Sequence, residues 1–130
     1  MPRFLRVLAL LLALTLPVYA SAVDRPIARV WHGKTLTVKA DEYARYLDEQ
    51  IQGFRKLPGN LGFQMLRQAA GDETHFLVIS YWTSLAAITA YAGQDIQRVH
   101  PLARDAEFLI APETSVMNYQ IVDDAKAGVP

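Results

Sequence analysis

Three histidines, His32, His75 and His100, can exchange a proton near neutrality, and each sits in a different part of the sequence. Around them stand groups that donate hydrogen bonds without changing charge: the Asn118 amide, the Tyr119 hydroxyl and the Trp82 indole N–H. Such a set suits moving a proton and holding the anion left behind. Thiol chemistry and zinc–thiolate sites are excluded, because the chain has no cysteine. Neither His-x-x-x-His nor Glu-x-x-His occurs, and the acidic residues fall on expected solvent faces, so no metal site is expected. Ser80 and Ser84 lack the glycine-flanked elbow of a serine nucleophile. His75 opens a strand beside a loop and is given no role.

The elements that must position these groups are organised around His75 to Gly93. Phe76, Leu77, Val78 and Ile79 form an unbroken apolar run after the Gly71-Asp72-Glu73 turn signal, the pattern of a strand buried on both faces. At Trp82 the period changes. Thr83 and Ser84 suit a helix N-cap, Leu85, Ile88 and Ala92 repeat at helical spacing, and Gly93 suits the residue past the helix end. Trp82 therefore stands at a strand-to-helix junction, either as core or as the wall of a pocket. Tyr91 on that helix is placed to line the pocket from the helix side.

Upstream, Ile27 to Val38 reads as a first strand, with Gly33 suggesting a bend or bulge. Alternation puts Ile27, Arg29 and Trp31 on one face and Ala28, Val30 and His32 on the other. Tyr43, Tyr46, Leu47, Ile51 and Phe54 then line one stripe of a helix that starts near Lys39 and ends before Pro58-Gly59-Asn60. Leu61 to Ala70 alternates as a second strand, joined to the third by a hairpin. Gln94 to Val99 suggests another helical turn, 102–110 a short helix, and Thr114 to Val122 a last strand.

The order is β-α-β-β-α-β, an α+β ferredoxin-like protomer with a four-stranded antiparallel sheet and helices on one face. A third strand apolar on both sides needs cover that this chain has no further helix to supply. A homodimer packed through the sheet faces is the expected solution.

The first 22 residues read as a separate unit. Arg3 and Arg6 precede an apolar run from Val7 to Leu16, and Pro17 breaks it before Ala20-Ser21-Ala22, the layout of a secretory signal cleaved after Ala22. The run is too short for a membrane anchor, so no membrane association is expected after cleavage, and the destination is the periplasm or the exterior. Eleven basic and thirteen acidic side chains then remain in 23–130, interspersed, which gives nucleic acid nothing to bind.

Ile27-Ala28-Arg29-Val30-Trp31-His32-Gly33, Lys39-Ala40-Asp41-Glu42-Tyr43, Pro58-Gly59-Asn60-x-Gly62 and Phe76-Leu77-Val78-Ile79-Ser80-Tyr81-Trp82-x-Ser84 stand in order along the domain core, 27–122. With Ala87-Ile88 and Ala92-Gly93-x-Asp95-Ile96, they resemble the antibiotic biosynthesis monooxygenase family of the dimeric α+β barrel superfamily. The resemblance implies a sheet-to-sheet dimer with a pocket between each sheet and its helices. It also implies oxygenation of a small aromatic or quinol-type substrate by O2 without a cofactor. For that reaction His32 and His100 are the candidate bases, Trp82 and Asn118 stand beside the reacting centre with His32, and Trp31, Tyr91, His100 and Tyr119 are candidate substrate contacts. Members with this layout tend to carry His-Tyr where this chain has Asn118-Tyr119, so no base is available at 118. Two other outcomes of the same resemblance are a haem-binding or haem-degrading protein, with His100 as axial ligand, and a dimeric module without activity.

Overall fold

The computed structural model describes residues 25–125. The expected leader, 1–22, and the last residues of the tail, 126–130, lie outside them. Four strands, β1 (Ile27–Leu36), β2 (Asn60–Ala70), β3 (Glu73–Trp82) and β4 (Met117–Gln120), form one antiparallel sheet in the order β2-β3-β1-β4. Helices α1 (Ala40–Ile51), α2 (Leu85–Ala92) and α3 (Asp105–Phe108) complete the ferredoxin-like α+β fold.

Each element has a local cause. In α1 the spacing of Tyr43, Tyr46, Leu47 and Ile51 gives one continuous apolar stripe, and all four are buried against Phe76, Val78 and Phe108. α2 begins where the Ser84 hydroxyl accepts a hydrogen bond from the Ala87 amide at 3.1 Å, and ends at Gly93, whose φ of 83° is open to glycine. A second apolar cluster gathers Ile27, Trp82, Ile88 and Ala92 around that helix.

Three expectations shift. Gly33 makes no bulge: it pairs with Phe76 in unbroken register, and the irregularity falls at Asn60/Gly62 in β2 instead. The glycine is needed for space, because a Cβ there would lie 2.6 Å from Trp31 Cζ2. β1 stops at Leu36, since residues 37–39 turn into a 3₁₀ helix tied to the hairpin by Thr37 N–H to the Asp72 carbonyl at 2.7 Å. The segment 94–99 is not helical. Arg98 bridges to Ser115, and amides at Val99 and Val116 bond to the carbonyls of Thr114 and Gln97, which also shortens the last strand to Met117–Gln120.

Alternation continues through the whole of β1 and β3. Ile27, Arg29, Gly33 and Thr35 are buried towards the helices, as are Thr74, Phe76, Val78, Ser80 and Trp82. The opposite phase carries Val30, His32, Leu77 and Ile79, only half-buried, with Leu66, Met117 and Tyr119 exposed beside them. No element among the described residues covers that face.

Candidate active site

The site lies where β1, β3 and β4 run side by side beneath the helices. The register sets Arg29 opposite Ser80 on one side and Asn118 on the other, so these three polar side chains share the covered face. Arg29 is 6% exposed. Its Nη1 donates to the Ile96 carbonyl and, at 3.2 Å, to Asn118 Oδ1; Nη2 donates to the Arg98 carbonyl at 3.0 Å. Asn118 closes the arrangement by donating from Nδ2 to the same Ile96 carbonyl at 3.0 Å. Among the described residues no carboxylate lies within ion-pair distance of Arg29. Burial pulls the guanidinium below its usual range, an effect the nearby Tyr91 hydroxyl opposes.

An aromatic stack leads from the core to this cation. Trp82 is fully buried, donates from its indole N–H to Ser80 Oγ at 2.9 Å, and stacks on Tyr91 with ring centres 5.4 Å apart and planes 17° apart. Tyr91 in turn meets Phe54 edge-on and the His100 ring at 5.4 Å. Burial pushes the Tyr91 phenol up, and Arg29 draws it partly back. His100 Nε2 lies 2.8 Å from the carbonyl of Ala92, the last residue of α2. That carbonyl can only accept, so Nε2 carries the proton and a neutral ring keeps its lone pair on Nδ1. Across the space, Tyr43 donates to Asp105 Oδ1 at 3.0 Å and the Leu102 amide to Oδ2 at 2.8 Å. Burial and the adjacent carboxylate push the Tyr43 phenol far above its usual range.

These groups enclose a cavity of about 60 Å³ with mostly apolar walls, lined among others by Arg29, Trp31, Phe54, Tyr91, His100 and Asp105. A wider cleft of about 430 Å³ adjoins it and shares Trp31, Leu102 and Asp105, so the Trp31 indole forms part of both walls.

Of the residues singled out from the sequence, Trp31, Tyr91 and His100 line this cavity. Trp82 and Asn118 stand immediately behind it, one supporting Tyr91 and the other holding Arg29. His32 and Tyr119 are not brought to it. Strand parity turns both to the uncovered face, where His32 Nδ1 meets Glu113 at 2.8 Å and its Nε2 meets His75 Nδ1 at 2.8 Å. A cluster of His32, Trp82 and Asn118 around one substrate is therefore absent, because one strand residue separates the two faces. Sequence reading passed over Arg29, Ser80, Tyr43 and Asp105. Only Arg29 left a signal, a charge in the same phase as Ile27 and Trp31.

A β-α-β-β-α-β sheet with a cavity beneath its helices places the protein among the ferredoxin-like α+β folds. Residues 37–100 match the family model for antibiotic biosynthesis monooxygenase. No curated protein matches the sequence. Among solved structures, a haem-degrading protein of Mycobacterium tuberculosis is 23% identical, with a TM-score of 0.54 over 78% of this chain and 99% of its own. A cofactor-independent oxygenase of Streptomyces nogalater is 13% identical, with a TM-score of 0.57 over 80% and 100%. A candidate antibiotic biosynthesis monooxygenase of Nitrosomonas europaea is 15% identical, with a TM-score of 0.59 over 78% and 95%. At these identities the likeness is one of fold.

Proposed function

We propose that the protein is an exported monooxygenase that oxidises a small aromatic or quinol-type substrate with O2 in the cavity beneath its helices, working as a homodimer. The observation that carries this reading is that one apolar cavity holds both a base, His100, and a buried cation, Arg29. His100 Nδ1 takes a phenolic proton, and the positive charge of the guanidinium across the cavity stabilises the oxyanion that forms. Dry walls from Trp31, Phe54 and Tyr91 keep water from the electron-rich ring while its carbon reacts with O2. With an anthrone-type CH2 the carbon becomes C=O, and the second oxygen leaves as water with the two hydrogens.

The cavity alone is smaller than the roughly 300–1,000 Å³ that enclose most ligands. Together with the adjoining cleft it enters that range, so a substrate would pass Trp31 and lie across both. Haem is the poorer fit, since a porphyrin exceeds the cavity beneath the helices.

Purified protein, stripped of metal, should consume oxygen with anthrone- or quinol-type substrates, and His100→Ala should slow uptake by about a hundredfold. No uptake across such a panel would overturn the proposal. The exposed apolar side chains Leu66, Met117 and Tyr119 favour the dimer, and sedimentation at micromolar concentration tests it. Export is tested by the N-terminus of the protein recovered outside the cytoplasm, which should begin at Val23.

A further inference from the structure

A guanidinium has five N–H donors, and three of those on Arg29 are used, all by neutral acceptors: the carbonyls of Ile96 and Arg98 and the Asn118 amide oxygen. Nε–H and one hydrogen of Nη2 have no acceptor among the described residues. These two nitrogens lie along one edge of the planar group, the edge that takes both oxygens of a carboxylate. The other charged group of the cavity, Asp105, is no substitute. Its oxygens are occupied by Tyr43 and the Leu102 amide, and it lies beyond ion-pair distance. A buried cation without an anion is costly unless one is supplied. Arg29 lies on β1, upstream of the stretch 37–100 matched by the family model.

We propose that the ligand of this cavity is a single-ring aromatic carboxylate, bound through its two oxygens by Arg29 Nε and Nη2, with its ring against Tyr91 and Trp31. The cavity's size limits the buried part of the ligand to about one ring, with any extension reaching into the cleft beyond Trp31. Asn118 acts as a positioning residue: its amide fixes Nη1 and leaves the opposite edge of the guanidinium for the ligand. The inference rests on the cavity used for the proposed oxygenation and deepens that reading by naming a substrate class, but it requires only binding.

The experiment compares benzoate with benzamide, nearly equal in shape and different in charge, by quenching of the fluorescence of Trp31 and Trp82. Benzoate should bind about tenfold or more tightly than benzamide, the gain expected of a charge-assisted pair over a neutral one. Arg29→Met should abolish the preference, and Arg29→Lys, which keeps the charge and loses the planar fork, should keep only part of it. Should Arg29→Met fail to fold, Asn118→Ala decides: benzoate affinity should fall several-fold while benzamide affinity holds. Equal binding of the two probes by the natural protein, or a preference unchanged in Arg29→Met, or an equal fall for both probes in Asn118→Ala, overturns the proposal. Benzoate binding without oxygen uptake from any substrate sinks the oxygenase reading alone.

Discussion

Consecutive side chains of β3 meet two different environments. Phe76 and Trp82 are fully buried under the helices, whereas Leu77 and Ile79 stand half-buried on a face that no described element covers. β1 repeats the division, with Arg29 turned to the cavity and His32 turned away. One sheet thus has a side that carries the cavity and an uncovered side on which the proposed dimer would form, and parity alone decides which residue faces which.

The largest effect separates the sides by stability. Phe76→Ala, next to Tyr43 and α1, should lower unfolding free energy by about 3–5 kcal/mol at any protein concentration. Leu77→Ala should cost much less in dilute solution and more as concentration rises, because its contacts would belong to the proposed dimer. Urea unfolding at several concentrations measures both. A Leu77 loss that ignores concentration would remove the open face as an interface.

Activity gives the next contrast. His100→Ala should reduce oxygen uptake by about a hundredfold, while His32→Ala should leave turnover close to that of the natural protein. His32→Ala should instead weaken association, since its ring links Glu113 and His75 on the uncovered face. An equal loss of turnover in both variants would mean that parity does not divide the functions.

The order of strands and helices along the chain, the helix stripe of Tyr43, Tyr46, Leu47 and Ile51, and the cap at Ser84 were legible in the sequence because each depends on local spacing. Tyr91 could be tied to a pocket from its place on the second helix, and Trp31 and His100 only through the family resemblance. Arg29 was already in phase with Trp31, yet its partners Ile96, Arg98 and Asn118 are 67 to 89 residues away, and nothing local announces them. Asp105 is invisible for the same reason, since an acidic residue in a short polar helix reads as solvated until Tyr43 meets it. His32 misleads because a strand places a histidine beside a pocket tryptophan as readily as behind it.

Within α1 the same contrast between buried and exposed polar groups can be sharpened. Tyr43→Phe leaves Asp105 Oδ1 without its buried donor and should cost about 1–3 kcal/mol at neutral pH. The folded state raises the Tyr43 pKa, so its contribution is fully present below the unfolded value of about 10 and is lost as pH rises beyond it. Denaturant midpoints at pH 7 and about 10.5 should therefore show the natural protein losing stability that Tyr43→Phe does not lose.

Two residues earlier on the helix, Asp41 accepts from Arg67 Nη1 at 2.7 Å, but its side chain is 78% exposed. The hydrogen bond and the charge of Arg67 hold its carboxyl below the usual range. A depressed pKa adds stability above the unfolded value, about 3.9, and that contribution disappears as pH falls through the folded one. Asp41→Asn should therefore flatten the acid limb of the stability curve below about pH 4 and change little at neutral pH. Because both partners face water, about 0.5 M salt should erase even that difference, while the Tyr43→Phe deficit should persist. An Asp41 effect that survives salt would mean that the outer surface of α1 is shielded from solvent by something other than this chain.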